Sequence, residues 1–305
     1  MDSGNNEVTH QFPPFFRVFK DGRVQRLGRY GQVPEFAPTG VDPKTQVQSK
    51  DVVVSSDSGV SARLFLPKLN DPNHKFPLVV HYHGGAFCLG SPAIKTFHNF
   101  LASLAAEANV MVISIDYRLA PEHRLPVAYE DSWAGMQWIA THSEGEGPEP
   151  WLNVHADFGR VFLAGESAGA NIAHYVAVQA GMTGLVGPNI VGSLLLHPFF
   201  GGKEIDKMYN FMCPTSAGFS DPILYPEVDP NLSGMAGQRV MVCVAENDSL
   251  KSRGVGYAET LRRSVWGGTV EFYETEGEGH GFFLLNPSCD KVKPLMKVMV
   301  DFINQ

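Results

Sequence analysis

From residue 51 onward, short runs of apolar and β-branched residues alternate with longer stretches whose apolar positions recur at helical spacing. The short runs predict strands at Val52–Val54, Ala62–Leu66, Pro77–Tyr82, Val110–Ile115, Val161–Ala164, Ile190–Leu196, Val240–Ala245 and Thr269–Tyr273. Those beginning near 77, 110, 161 and 240 are almost continuously apolar, the pattern of a strand covered on both faces. Helices are predicted over about 126–142, 168–181, 252–264 and 290–303. This alternation implies a single α/β domain over residues 1–305, with a mostly parallel central sheet and crossover helices on both faces. Two segments break the pattern. Residues 1–50 set Phe12, Phe15, Phe16 and Phe19 among Pro13, Pro14, Pro34, Pro38 and Pro43, too interrupted for a long element; they read as an arm lying over an apolar surface. Residues 198–238, the 41 residues between His197 and Arg239, hold five prolines and no sustained period, and long irregular loops in compact domains are often lids.

Charge narrows the classes of partner. With 24 basic and 32 acidic side chains the net charge is −8, which argues against nucleic acid or an anionic membrane. No run approaches the roughly 18 apolar residues of a membrane span. The opening MDSGNNEVTH is polar and acidic rather than basic then apolar, so a cytoplasmic location is expected. Cys88, Cys213, Cys243 and Cys289 are scattered without a C-x-x-C pair and read as reduced, mostly structural thiols. Nothing in the pattern sets an oligomeric state.

The candidate chemistry sits at strand ends. Gly165-Glu166-Ser167-Ala168-Gly169 matches G-x-S-x-G between a predicted buried strand and a predicted helix, the setting in which the serine hydroxyl is lifted above the sheet; without that setting it would be an ordinary Gly/Ser turn. A serine needs a base, and the base an orienting group. Of the later histidines, His174 lies within the helix after Ser167 and His197 closes a strand, whereas His280 occupies a glycine-rich loop after the last strand. Ala245-Glu246-Asn247-Asp248-Ser249 offers two carboxylates at the preceding strand's exit. Glu246 continues the alternation of Val240, Val242 and Val244, while Asp248 lies in the turn and could orient His280 or merely cap the next helix. His81-Tyr82-His83-Gly84-Gly85-Ala86-Phe87 ends another apolar strand, and its small residues let backbone N–H groups face an oxyanion, with a further donor from Ala168. His81 and His83 share a strand face, but no third ligand has matching spacing, so no metal and no cofactor is expected.

The set His83-Gly84-Gly85-Ala86, Asp116-Tyr117-Arg118-Leu119-Ala120-Pro121-Glu122, Gly165-Glu166-Ser167-Ala168-Gly169, Asn247-Asp248 and Gly279-His280-Gly281-Phe282 resembles the signature of plant carboxylesterases, in the hormone-sensitive-lipase-like branch of the α/β-hydrolase fold. The likeness spans nearly the whole chain and includes Phe19-Lys20-Asp21-Gly22-Arg23-Val24. It implies a serine esterase acting on small to medium apolar carboxylic esters, with Ser167, Asp248 and His280 as the triad and N–H groups of Gly84, Gly85, Ala86 and Ala168 around the oxyanion. It also implies a cap made of the arm 1–50 and the insertion 198–238 after the sixth predicted strand, here shorter than usual. Phe15, Phe16, Phe87, Phe199, Phe200, Phe211, Phe282 and Phe283 are then expected near the mouth, and Asp116–Glu122 as a buried ionic turn beneath the site. Relatives on this scaffold include gibberellin receptors, which lack the histidine, isoflavonoid dehydratases, which typically carry Thr in place of the serine, and alkaloid cyclases, which depart from the triad. A dehydratase, a cyclase or a hormone-receptor-like binding protein is therefore the alternative.

Overall fold

In the computed structural model, which describes residues 6–27 and 34–305, every predicted strand forms and joins one sheet. The strands are β1 (Val8–Phe12), β2 (Phe16–Phe19), β3 (Val24–Arg26), β4 (Gly40–Val41), β5 (Gln48–Ser55), β6 (Val60–Leu66), β7 (Phe76–Tyr82), β8 (Met111–Asp116), β9 (Ala156–Glu166), β10 (Ile190–Leu196), β11 (Arg239–Ala245) and β12 (Thr269–Thr275). The main sheet runs β12-β11-β10-β9-β7-β8-β6-β5-β4, parallel from β12 to β8 and antiparallel beyond. The nearly continuous apolar runs became β7, β8, β9 and β11, whose side chains are buried on both faces.

The helices are α1 (Lys95–Ala108), α2 (Val127–Ala140), α3 (Pro150–His155), α4 (Ala168–Thr183), α5 (Lys207–Met212), α6 (Lys251–Arg263), α7 (Phe282–Leu285) and α8 (Val292–Asn304). Side chains of α2, α4 and α6 join one core on one face of the sheet, and those of α1 and α8 join a second core on the other. None of the helices among the described residues is long and apolar enough to cross a membrane.

The N-terminal segment is a small antiparallel sheet, β1-β2-β3, with Phe16 fully buried against the first core and Phe19 buried under the Arg17 and Arg23 side chains. Burying one such phenylalanine is worth about 1.5–3 kcal/mol, enough to hold a short meander in place. Residues 1–5 and 28–33 of the expected arm lie outside the described residues. The main sheet takes over before the expected boundary at residue 50, because β4 and the start of β5 already belong to it. The insertion after β10 folds into α5 and three single 3₁₀ turns, tied down by Asn171 Nδ2 donating to the Ile223 carbonyl (2.7 Å) and by Leu125 N–H donating to the Met212 carbonyl (2.9 Å).

Candidate active site

Ser167 sits on the turn from β9 into α4 with φ 55° and ψ −119°, a backbone geometry that costs roughly 1–3 kcal/mol outside glycine. Its flanking glycines are there for space: a Cβ on Gly169 would collide with the Tyr82 carbonyl oxygen, and one on Gly165 with the backbone of Gly169. The turn is held by the Ser167 N–H donating to the Leu196 carbonyl (2.9 Å) and the Phe199 N–H donating to the Ser167 carbonyl (3.0 Å).

His280 reaches over the same strand ends from the loop after β12. Its Nε2 lies 3.0 Å from Ser167 Oγ and its Nδ1 2.7 Å from Asp248 Oδ2. The other Asp248 oxygen accepts the Leu250 N–H at 2.8 Å, so both carboxylate oxygens have fixed tasks. Burial raises the affinity of this carboxyl for a proton, but the hydrogen bond and charge of the His280 imidazole and the hydrogen bond from the Leu250 N–H outweigh it and hold the group below the usual carboxylate range. Glu246 points elsewhere, accepting the Gly277 N–H at 2.7 Å at the surface.

His197, which sequence reasoning left as the end of a strand, lies directly behind this pair. It is buried with φ 47°, and burial holds its imidazole below the usual histidine range, hence neutral. Its Nδ1 accepts the Gly281 N–H at 3.0 Å and lies 3.4 Å from Asp248 Oδ2. One nitrogen cannot accept from the first and donate to the second at once; the shorter contact puts the proton on Nε2. Among the described residues, His197, Asp248 and His280 are the one set of three potential metal ligands that converges, with ligand atoms within 4.8 Å, but these atoms are engaged with one another and with Gly281.

The loop after β7 supplies the backbone donors. Ala86 and Phe87 take positive φ (55° and 61°), a strained path that persists because it is pinned at several points. The Gly85 carbonyl accepts the Leu89 N–H at 2.8 Å, the Phe87 carbonyl the Ala120 N–H at 2.9 Å, and the Cys88 carbonyl Arg26 Nε at 2.8 Å. Among the described residues no acceptor takes the N–H of Gly85, Ala86 or Ala168, which leaves three donors free at the site. Gly84 is a correction to the expected set: its N–H donates to Glu166 Oε1, because the Glu166 side chain lies under the loop. The other Glu166 oxygen meets His81 Nε2 at 2.8 Å, and His81 Nδ1 contacts Ser114 Oγ at 2.8 Å. His83 stacks on Tyr117 at 4.2 Å and hydrogen-bonds the Gly84 carbonyl through Nδ1. Both histidines thus buttress the loop from below. The Asp116–Glu122 turn does the same: Tyr117 OH donates to the His83 carbonyl (2.6 Å), Arg118 pairs with buried Asp131, and Glu122 binds Arg26 at the surface.

A cavity of about 850 Å³ opens over Ser167 and His280. Of the expected phenylalanines, Phe15, Phe87 and Phe199 line it. The other five do not, each for a packing reason. Phe16 is buried in the first core and Phe211 packs on Phe12 and Phe16; Phe200 stacks on Tyr257 at 4.2 Å; Phe282 and Phe283 point into the second core. Phe36, Met208, Tyr209 and Met212 line it unforeseen, together with Arg26, Asp206 and Arg253.

The family model described as alpha/beta hydrolase fold matches residues 79–284. A protein named probable carboxylesterase 2 from Arabidopsis thaliana is 38% identical, covering 100% of this chain and 99% of its own length. A 2-hydroxyisoflavanone dehydratase from Glycyrrhiza echinata is also 38% identical, covering 98% and 97%. Among solved structures, the hyperthermophilic esterase from the archaeon Pyrobaculum calidifontis superimposes with a TM-score of 0.68 at 26% identity, over 84% of this chain and 85% of that one. The esterase LipW from Mycobacterium marinum gives 0.70 at 23% identity, over 86% and 82%, a likeness of fold.

Proposed function

Because the chain belongs to the α/β-hydrolase family, and within it to the plant carboxylesterases, we propose that it is a carboxylic ester hydrolase working through an acyl-enzyme on Ser167. The observation that carries this reading is the unbroken hydrogen-bond chain from Ser167 Oγ through His280 to Asp248. As the hydroxyl attacks the ester carbonyl carbon, His280 Nε2 takes its proton and Asp248 stabilises the resulting imidazolium. The carbonyl oxygen, now an anion, receives the free N–H groups of Gly85, Ala86 and Ala168. Collapse of the tetrahedral intermediate expels the alcohol, which takes the proton from His280. Water then repeats the sequence on the acyl-enzyme and releases the acid. No cofactor enters.

The arm and the insertion 198–238 act as a cap in this reading, since Phe15 and Phe36 from one and Met208, Tyr209 and Met212 from the other line the cavity. The mainly apolar wall suits an apolar ester, and a volume within the roughly 300–1,000 Å³ of drug-sized pockets admits more than a short acyl chain. The free thiols of all four cysteines suit the reducing cytosol. A fluorophosphonate probe should add once, to Ser167, as read by intact mass and peptide mapping, and Ser167→Ala should abolish the adduct; active protein without an adduct, or with it elsewhere, overturns the reading.

A second reading, elimination of water, is favoured by the dehydratases among the relatives. The same N–H groups would hold a ketone oxygen while His280 removes the α-proton and then gives it to the departing β-hydroxyl, which leaves as water. Unchanged turnover of such a substrate by Ser167→Ala, with no ester hydrolysed by the wild type, would select it.

A further inference from the structure

The charged side chains and histidines of the cavity wall can be accounted for one by one. Arg26 is committed to the Cys88 and Ala120 carbonyls and to both oxygens of Glu122. Glu166 is committed to His81 and Gly84, and His197 and His280 to the groups around Asp248 and Ser167. Two charged side chains are left with free valences. Arg253, on the first turn of α6, gives Nη1 to the Phe200 carbonyl at 2.9 Å and lies over the Phe199 ring at 5.1 Å. Its Nε and Nη2 meet no acceptor among the described residues. Asp206, at the start of α5, caps that helix with Oδ1 on the Tyr209 N–H at 2.9 Å, while Oδ2 accepts no hydrogen bond among them and stands 4.0 Å from Arg253 Nη1. Both line the cavity, with side chains about a fifth to a quarter exposed.

The pair shares the cavity with Ser167 and His280 and is linked to the nucleophile turn, because the Phe199 ring under Arg253 belongs to the residue whose N–H holds the Ser167 carbonyl. It offers a donor and an acceptor side by side with opposite charges that offset each other. A carboxylate on the ligand would gain Arg253 but face Asp206 Oδ2. A hydroxyl can accept from the guanidinium and donate to the carboxylate, satisfying both groups with one atom. An apolar cavity with a few convergent polar groups is the usual form of a pocket that fixes one orientation of its ligand.

We infer that Arg253 and Asp206 form a specificity site for a neutral hydroxyl, phenolic or alicyclic, carried by the otherwise apolar substrate on the part that lies against Phe199. This rests on the ester-hydrolase reading above and adds to it the class of ester taken.

The test uses phenylpropyl acetate with its para-hydroxy and para-carboxy derivatives, and the p-nitrophenyl esters of phenylpropanoic acid bearing the same substituents, so that the hydroxyl is tried in each half of the ester. In the wild type the hydroxylated member of one series should exceed the plain one in kcat/KM by at least about tenfold, the scale of a hydrogen bond to a charged group. Arg253→Met and Asp206→Asn, the latter keeping the helix cap, should each reduce that ratio to below about threefold. Calorimetry of the same probes on Ser167→Ala reads the preference without turnover. If the wild type hydrolyses none of the esters while Ser167→Ala still prefers the hydroxylated one, the ester-hydrolase reading fails and the hydroxyl site stands. A ratio near one in both halves overturns the inference. So does a preference that both variants retain, a preference for the carboxylate, or no binding of either hydroxylated probe to Ser167→Ala.

Discussion

Replacing Asp248 by asparagine keeps the shape of the side chain and removes its charge, and the geometry shows why neither orientation of the amide can compensate. If the amide oxygen stays on the Leu250 N–H, its nitrogen faces His280 Nδ1, which must then accept; the ring proton moves to Nε2 and the base is lost at Ser167. If the amide is turned round, His280 keeps its tautomer but the amide nitrogen meets the Leu250 N–H, donor against donor, at a cost of about 1–3 kcal/mol for the unsatisfied group. The imidazolium formed during attack is uncompensated in both. In the best-studied serine protease the equivalent change lowers kcat by about 10⁴-fold, and about 10³–10⁴-fold is the expectation here. Glu246→Gln is the control: an amide oxygen can still accept the Gly277 N–H, so its loss should stay under about tenfold, roughly the 1 kcal/mol scale of one exposed hydrogen bond. Steady-state hydrolysis of an activated aryl ester measures both, with circular dichroism to establish that both are folded. The opposite ranking in folded proteins would refute the assignment and transfer the orienting role to Glu246.

Three other perturbations test the frame around the site. Burial pushes the Asp116 carboxyl up to about 6, and its Oδ1 lies 3.8 Å from His83 Nε2, a buried nitrogen with no hydrogen-bond partner among the described residues, whose ring burial holds at about 4. A raised carboxyl binds its proton more tightly in the folded chain, so its contribution is complete below about pH 4 and lost as pH rises through about 6. Asp116→Asn should therefore raise Tm at about pH 7.5 more than at about pH 3.5, as these two values bracket that window; a lower Tm at the higher pH contradicts it. Arg26→Ala cuts the arm from the oxyanion loop and should lower Tm by several degrees, at about 2–4 °C per kcal/mol for a chain somewhat smaller than this one, together with kcat; an unchanged kcat would show that the Cys88 carbonyl holds its position unaided. His197→Leu strands the Gly281 N–H and should lower kcat more than KM, whereas His197→Asn, which keeps an acceptor near the Nδ1 position, should recover most of it; equal losses would reduce His197 to packing.

What the sequence made legible and what it hid follow from geometry. The reacting groups were legible because each terminates a strand that announces itself: an apolar run precedes His83, Ser167 and Asp248, and parallel strands deliver their carboxyl ends to one edge. Helix α1 escaped notice because its boundaries carry no signal, with Ile94 at the N-cap making no side-chain bond and Asn109 rather than glycine in the left-handed C-cap position. The cavity wall was half misread because adjacent residues in turns and irregular chain can face opposite ways with no period to say which. Phe199 borders the cavity while Phe200 turns to Tyr257, and Phe15 borders it while Phe16 enters the core; a pair of phenylalanines in sequence does not state which of them faces the cavity until the loop is placed. The same reasoning applies at finer scale to the His83-Gly84-Gly85-Ala86 run. Small residues there permit N–H groups to face a ligand, but which ones do is set by the positive φ at Gly85 and Ala86 and by a carboxylate 82 residues away in sequence, Glu166, that takes the Gly84 N–H. Glu166 stands in the variable position of the G-x-S-x-G motif, where spacing alone assigns it no task. Its side chain nevertheless links the nucleophile turn to the oxyanion loop, so the two halves of the reaction centre are positioned against each other by a residue that neither motif identifies.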